Sequence, residues 1–154
     1  MLIRPFTDSD GQRTVEIFQR SIRELARHDY SHAQLEAWAK GEIDLAEWTA
    51  RRTELGTFVA DRGGVVVGFS DVSESGYIHM MFVHPDFARQ GIATALLAFA
   101  EAKTAKSGAL QLSANVSLTA RQLFEQHGFV VQGTQQPEVA GVALTNFHMT
   151  KQIG

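Results

Sequence analysis

Apolar side chains in the first quarter of the chain recur at helical spacing after one short strand. Residues 2–6 are typical of a strand, which Pro5 limits, and a polar helix start follows at residues 8–10. Val15, Phe18, Ile22 and Leu25 then fall three or four residues apart. Since such residues share one face of an α-helix, the pattern predicts an amphipathic helix there.

Two shorter helical segments are predicted next. Residues 28–31 break the first helix, and Ser31 is a suitable N-cap for a second helix that carries Leu35 and Trp38. Gly41 is expected to end it. Leu45, Trp48 and Leu55 then indicate one or two further turns.

The period changes to two from residue 57 onward. Residues 57–60 and 65–69 flank a turn that contains Gly63 and Gly64, and this predicts a β-hairpin. A third strand is predicted over residues 76–83. Its alternation places Tyr77, His79, Met81 and Val83 on one face and Ile78, Met80 and Phe82 on the other.

The remaining chain alternates between helices and strands. The apolar face Ile92, Ala95, Leu96 and Phe99 predicts a helix that stops at Ser107-Gly108. We expect a strand at 110–112, a helix at 120–127 ended by Gly128, and closing strands at 129–131 and 142–149. Hairpins and crossover helices together predict an α/β (α+β) fold, with a mixed, mostly antiparallel sheet of about six to seven strands and helices on both faces.

Composition is that of one folded domain. The chain has 154 residues, of which 44% are hydrophobic and 20% charged. There are no repeats or linker-like tracts, so residues 1–154 are predicted to form a single domain. The net charge of −3, from 14 basic and 17 acidic side chains, argues against nucleic acid or an anionic membrane as the main partner.

Cysteine is absent, which excludes disulfides, zinc ribbons and a thiol nucleophile. Residues 1–6 lack the apolar stretch of about 7–15 residues that a secretory signal needs. The longest helix-like apolar run, residues 92–102, is shorter than the roughly 20 residues that span a bilayer. We therefore expect a cytoplasmic protein.

The segment from Val83 to Leu97 carries the strongest chemical signal. A strand leads into a loop, and the loop leads into a helix whose start contains Gly91 and Ala93. Unpaired N–H groups at a helix start bind anions, and small residues allow a ligand close to the backbone. We therefore expect a phosphate at this loop. Neither GxxxxGK[ST] nor GxGxxG occurs, which disfavours a nucleoside triphosphate or dinucleotide bound in those ways.

This loop resembles motif A of the GCN5-related N-acetyltransferases, the GNAT family, written Arg/Gln-x-x-Gly-x-Gly/Ala. Gly91 and Ala93 match its last two anchors, whereas Ala88 departs from the first. The segments 65–69, 81–85 and 120–129 follow the family's order and spacing. Residues 28–38 and 146–149 are similar to a bacterial subgroup that includes YafP-like acetyltransferases.

The resemblance implies that acetyl-CoA is the cosubstrate and that loop amides bind its pyrophosphate. Asn115 and Ser117, placed after the fifth strand, would contact pantetheine, although Ser117 is equally suited to be an N-cap. The full set of implied cofactor contacts is Met81, Phe82, Val83, Ala88, Arg89, Gln90, Gly91, Ile92, Ala93, Thr94, Asn115, Ser117 and Phe124.

Acetyl transfer to an amine requires a neutral amine more than a protonated leaving group. An alkylamine of pKa ~10.4 costs about 4.6 kcal/mol to deprotonate at pH 7, while a thiol of pKa ~8.5 costs about 2 kcal/mol to expel as thiolate. We favour His79 as the base, with Tyr77, His148 or a water chain as alternatives. A structural role for His79 also stays open.

The acid is less well defined. The family commonly has a tyrosine where this chain has Phe124, so Tyr30 and Tyr77, its two tyrosines, are candidates by elimination. The resemblance also implies that a backbone N–H near Met81 or Phe82 stabilises the oxyanion.

The leading hypothesis is therefore an acetyl-CoA-dependent N-acetyltransferase that transfers the acetyl group directly to an amine of a small molecule or peptide. Without cysteine, no acetyl-cysteine intermediate is available. A non-catalytic acyl-CoA-binding module is the alternative, and a metal hydrolase built on His28 and His32 is a weaker third; no metal is expected. Tyr30, Trp38 and Trp48 either form the acceptor pocket or belong to the core. Exposed strand edges near the C-terminus suggest a homodimer.

Overall fold

The computed structural model describes residues 1–154. The strands are β1 (Leu2–Pro5), β2 (Phe58–Arg62), β3 (Val65–Ser70), β4 (Tyr77–Ile78), β5 (Met81–Val83), β6 (Gln111–Ser117), β7 (Val130–Gln135), β8 (Glu138–Val139), β9 (Val142–Ala143) and β10 (Asn146–Gln152). The α-helices are α1 (Gly11–Arg20), α2 (His32–Ala39), α3 (Leu45–Glu54), α4 (Ile92–Ser107) and α5 (Arg121–Gln126). None of these helices is both long enough and apolar enough to span a bilayer.

The sheet is mixed and mostly antiparallel, which confirms the predicted fold class. Its strands form two four-stranded halves, ordered β1-β2-β3-β5 and β4-β6-β10-β7, and β8 and β9 form a separate small hairpin. All pairings are antiparallel except that of β4 with β6.

The predicted continuous strand over residues 76–83 is wrong. It divides into β4, which pairs with β6, and β5, which pairs with β3. The interruption falls at His79 and Met80, whose backbone N–H groups both donate to the carboxylate of Asp71, at 2.8 and 3.2 Å. The Asp71 side chain binds these two N–H groups in place of a neighbouring strand. The two halves of the sheet separate at these residues.

Two hydrophobic cores lie on opposite faces of the sheet. Helix α4 packs on one face, where Ile92 and Leu96 are fully buried against Val67. Helices α1 to α3 cover the other face, where Phe18 and Phe69 are buried. The alternation along β2 and β3 supplies both cores, because successive side chains point to opposite faces.

Helix α4 lies very close to β3 at Gly68. A Cβ atom there would come within 2.9 Å of Ile92 Cγ2 and 3.1 Å of Phe82 O. This glycine therefore sets the distance between the sheet and the first turn of α4, and so positions the loop that precedes the helix.

Several predicted boundaries differ in the structure. Leu25 and Phe99 are partly exposed, at 38% and 37%, instead of lying on the buried helix faces. Helix α3 is longer than the one or two turns expected. The strand predicted at 110–112 continues to Ser117, so Asn115 and Ser117 lie within β6 and not after it.

Candidate active site

A gap separates β5 from β6 where the two halves of the sheet diverge. Within the β3–β5 ladder, His84 N donates to Val67 O, and the register continues through the pairs Gly68–Val83 and Phe69–Phe82. Because hydrogen-bonded pairs alternate along antiparallel strands, the N–H of Phe82 faces β3. The N–H groups of Met81 and Val83 face the gap, where no strand pairs with them.

A first cavity, here called the loop cavity, has a volume of about 670 Å³ and opens beside the loop before α4. Predicted cofactor contacts that line it are Met81, Phe82, Val83, Ala88, Arg89, Gly91, Ile92, Ala93, Thr94 and Ser117. The structure thus brings ten of the thirteen predicted residues together around one cavity.

The loop has the backbone geometry of an anion site. Arg89 and Gly91 both have positive φ, +62° and +82°, and Gly91 is the N-cap of α4. The N–H groups of Ile92, Ala93 and Thr94 follow in the first helical turn, where no intrahelical acceptor is available to them. Their dipoles favour a negative group at this position.

Gln90 is turned away from the loop cavity. Its Oε1 accepts a hydrogen bond of 2.6 Å from Arg62 Nη1, and the residue does not line the cavity. The Thr94 hydroxyl is also engaged, since it lies 3.0 Å from Nε2 of His127. The backbone of this loop is therefore better placed than these two side chains to bind a ligand.

A π-helical turn, Ser21–Leu25, follows α1 and forms part of the cavity wall through Ser21, Ile22 and Leu25. The Ser21 hydroxyl donates to the carbonyl of Val83 and ties this turn to the edge of the gap. Sequence reasoning missed these residues. A π turn inserts one residue into a helix, and the apolar spacing around it still fits an ordinary helix.

A second cavity, the His79 cavity, has a volume of about 340 Å³. The two cavities share Trp38, Met81, Phe82, Ser117 and Ala120, so they meet at the gap between β5 and β6. Asn115 and Phe124, which do not line the loop cavity, line this one. Phe124 is 4% exposed and packs edge-on against Phe129.

His79 lies in the wall of this second cavity, directly after β4. Its backbone N–H is fixed by Asp71, which holds the residue at the point where the strand breaks. Burial lowers the pKa of the His79 ring, the charge of Asp71 opposes this shift, and the charges of Arg52, Arg51 and Lys40 reinforce it. The ring is therefore neutral at pH 7 and is able to accept a proton.

The Tyr30 hydroxyl both donates and accepts a hydrogen bond, and Tyr77 lies outside both cavities. The Tyr30 hydroxyl donates to Thr145 O at 2.6 Å and accepts from Leu118 N at 2.9 Å, and burial raises its pKa. The Tyr77 hydroxyl accepts from Asn115 Nδ2 at 3.3 Å, and Tyr77 lines neither cavity.

The structure distinguishes between the roles that the sequence left open for several residues. Ser117 lines both cavities; its Oγ accepts from Ala120 N at 3.1 Å, but the N-cap of α5 is Ala120, so the N-cap prediction for Ser117 is wrong. Trp38 lines both cavities, whereas Trp48 belongs to the core and donates from Nε1 to Thr14 Oγ1. His148 lines neither cavity.

His28 and His32 do not belong to a cluster of three or more metal-ligating side chains, and the structure contains no such cluster. His28 Nε2 instead accepts a hydrogen bond from Arg27 Nε at 3.3 Å. The two histidines therefore provide no geometric support for a metal hydrolase.

Comparison with known proteins agrees with this geometry. The family model described as "Acetyltransferase (GNAT) domain" matches residues 26–151. An uncharacterized N-acetyltransferase of Escherichia coli K12, YafP, is 35% identical over 147 residues, which cover 96% of this chain and 93% of that protein.

Solved structures show the same fold. A GCN5-related N-acetyltransferase from Rhodopseudomonas palustris is 34% identical and superposes with a TM-score of 0.94, over 98% of this chain and 94% of that one. YncA from Salmonella typhimurium shares the fold at 19% identity, with a TM-score of 0.74 over 100% of this chain and 94% of that one. The chain therefore belongs to the GNAT family of acetyltransferases and is similar to YafP within it.

Proposed function

We propose that this acetyltransferase transfers the acetyl group of acetyl-CoA directly to an amine of a small molecule or peptide. The observation that carries the proposal is the gap between β5 and β6, at which a cavity suited to an anionic donor meets a second cavity that contains His79. The YncA structure was determined with its cofactor acetyl-CoA, which supports the same donor here.

The loop cavity fits the donor. The backbone N–H groups at the start of α4 would bind the pyrophosphate, and Arg89 would add positive charge beside it. The N–H groups of Met81 and Val83 face the gap and would hydrogen bond with the pantetheine arm and the thioester carbonyl. Of the two amides proposed for the oxyanion, Met81 has the suitable direction, because Phe82 N–H is used within the sheet.

The His79 cavity fits the acceptor. A neutral amine attacks the thioester carbonyl carbon, the C–S bond breaks, and the electron pair of that bond leaves with the thiolate. The proton that the nitrogen loses passes to the neutral imidazole of His79, directly or through one water. Since the Tyr30 hydroxyl is engaged, Tyr77 lines neither cavity and position 124 is Phe, we propose that the thiolate leaves without a side-chain acid.

Location and assembly remain proposals. We expect the enzyme in the cytoplasm, and we expect any homodimer to use the open edge of β7, where Val130 is 60% exposed. No observation favours the alternative of a non-catalytic acyl-CoA-binding module.

Isothermal titration of acetyl-CoA and a thiol-release assay with a panel of amines test the proposed function. We expect acetyl-CoA to bind and at least one class of amine to release CoA in an enzyme-dependent reaction. Failure to bind acetyl-CoA would overturn the assignment of the loop cavity. Binding without turnover on any amine would overturn N-acetyl transfer and leave the donor site intact.

A further inference from the structure

The wall of the His79 cavity contains no carboxylate. Of its lining side chains, Lys40 alone carries a formal charge, because His79 is neutral at pH 7. Lys40 ends α2 in the left-handed conformation, with φ of +66°, and its side chain is exposed. Its ammonium forms neither an ion pair nor a hydrogen bond with any other side chain, so it remains available to a ligand at the cavity rim.

A second positive charge lies directly behind this wall. Arg52 is 2% exposed and has no carboxylate in ion-pair contact. Its Nη1 contacts the sulfur of Met80, which lines the cavity, and its Nε has no hydrogen-bond partner. A buried guanidinium without a carboxylate in direct contact is costly, and it contributes positive potential to the adjacent cavity.

Asp71 is the nearby acidic group that opposes this potential. Both of its oxygens accept backbone hydrogen bonds, from His79 and Met80, and Asp71 does not line the cavity. Burial raises its pKa. Asp71 therefore anchors the strand break and provides no subsite for an ammonium group.

The arrangement selects the charge of the acceptor. A polycationic amine would meet Lys40 and Arg52 without a compensating carboxylate, and binding would be opposed. An amine that carries a carboxylate would pair with Lys40. Positive surroundings also favour the neutral form of its amino group, which is the nucleophilic form.

Most of the remaining wall is apolar, with Asn115, Ser117, Thr145 and Asn146 as neutral polar residues, and the cavity is small. Phe18, Trp38, Val139 and Leu144 line it, and its volume is about 340 Å³. On the basis of the proposed function, we infer that the acceptor is an α-amino acid with an apolar side chain, or a similar small amino carboxylate, whose carboxylate pairs with Lys40.

Matched amines test this inference. The thiol-release assay would compare each apolar L-amino acid with its decarboxylated amine, for example L-leucine with 3-methylbutylamine, and would include spermidine. Rates are expressed per concentration of neutral amine. We expect kcat/KM to be at least about tenfold higher for the amino acid, as for a charge-assisted contact, and lowest for spermidine.

Lys40 variants identify the residue responsible. Lys40→Gln should remove the preference for the carboxylate, and Lys40→Glu should reverse it, while the affinity for acetyl-CoA is unchanged in both. The matched control is Lys106→Gln, an exposed lysine in the last turn of α4 that lines neither cavity; it should behave as wild type.

The two proposals fail differently. If acetyl-CoA does not bind, the proposed function is wrong and the inference falls with it. If acetyl-CoA binds and other amines are acetylated but no amino carboxylate is, or the decarboxylated amines and spermidine react as well or better, the inference alone is wrong. It is equally wrong if Lys40→Gln lowers kcat/KM by the same factor for amines with and without a carboxylate.

Discussion

His79 and Asp71 show how one side chain is placed for chemistry by another. The Asp71 carboxylate accepts hydrogen bonds from two backbone N–H groups that would otherwise pair with a neighbouring strand. These two bonds fix His79 in the wall of the second cavity. Burial keeps the imidazole neutral at pH 7. The same residue would be an unremarkable strand position if the ladder were continuous.

The His79→Ala variant tests the proposed base. Burial lowers the pKa of His79 below its ordinary 6.5, so wild-type kcat/KM, expressed per concentration of neutral amine, should decline only as the pH falls through this lowered value. The variant should lose about 10²- to 10⁴-fold in rate and should lack this acidic limb. The matched control is His32→Ala, which changes an exposed histidine outside both cavities. An acidic limb retained in His79→Ala would show that His79 is not the base.

Gly91 is required because its backbone φ is positive, and not because a side chain there would collide with the protein. A Cβ at this position meets no protein atom within 4 Å, but its φ is +82°. We expect Gly91→Asp to raise the acetyl-CoA dissociation constant by at least about tenfold, because its charge opposes the pyrophosphate at the helix start.

Two variants separate charge from strain in that measurement. Gly91→Asn has nearly the same shape and tolerates positive φ, so it should bind acetyl-CoA more tightly than Gly91→Asp does. Gly108→Asp, at φ of +86° beyond the other end of α4, should leave the affinity unchanged. Equal binding by Gly91→Asp and wild type would remove the loop from the proposed donor site.

At the scale of elements, the separation of β4 from β5 creates the gap. Strand β4 pairs with β6 for two residues, and β5 pairs with β3 for three, so each half-sheet retains its own partner. The π turn after α1 and the start of α4 then form the walls of the loop cavity. The site therefore depends on an interruption in regular structure, which Asp71 stabilises.

Asp71→Asn tests that dependence. An amide supplies one acceptor oxygen in place of two, so one buried N–H loses its partner. We expect the free energy of unfolding to fall by about 1–3 kcal/mol, and the amides of His79 and Met80 to exchange hydrogen faster. Asp44→Asn is the matched control, since Asn and Asp are nearly equivalent at the N-cap of α3. Unchanged exchange at both amides would show that another contact holds the strand break.

At the scale of the whole molecule, the proposed donor would lie between the two halves of the sheet and contact both. Its binding should therefore stabilise the complete fold. Acetyl-CoA at about 100 times its dissociation constant should add about 2.7 kcal/mol to the free energy of unfolding. For a chain of this size, that raises the melting temperature by about 5–10 °C.

A thermal-shift measurement checks this expectation. Gly91→Asp should show a smaller shift than wild type at the same acetyl-CoA concentration, whereas Lys106→Gln should show the full shift. An undiminished shift in Gly91→Asp would indicate that acetyl-CoA binds outside the loop cavity.

The sequence by itself determined most element types, the mixed sheet and the helix start that is suited to an anion. These depend on short-range spacing: the period of apolar residues, the N-cap at Ser31, the glycine pair in the hairpin, and Gly91 with Ala93 before α4. Boundaries were less predictable. Strand β6 extends well beyond Leu112 because pairing with β10 continues to Ser117, and no local signal records that pairing.

Only the tertiary structure decided where the gap lies and which groups face it. The Tyr30 hydroxyl is engaged by Leu118, a residue 88 positions away, which the identity of the tyrosine could not reveal. The strand break at His79 requires Asp71, and the positive character of the second cavity requires Lys40 and Arg52 to converge from different helices. Such features are contacts between distant segments, whereas patterns along the chain report the conformation of each segment and not which segments meet.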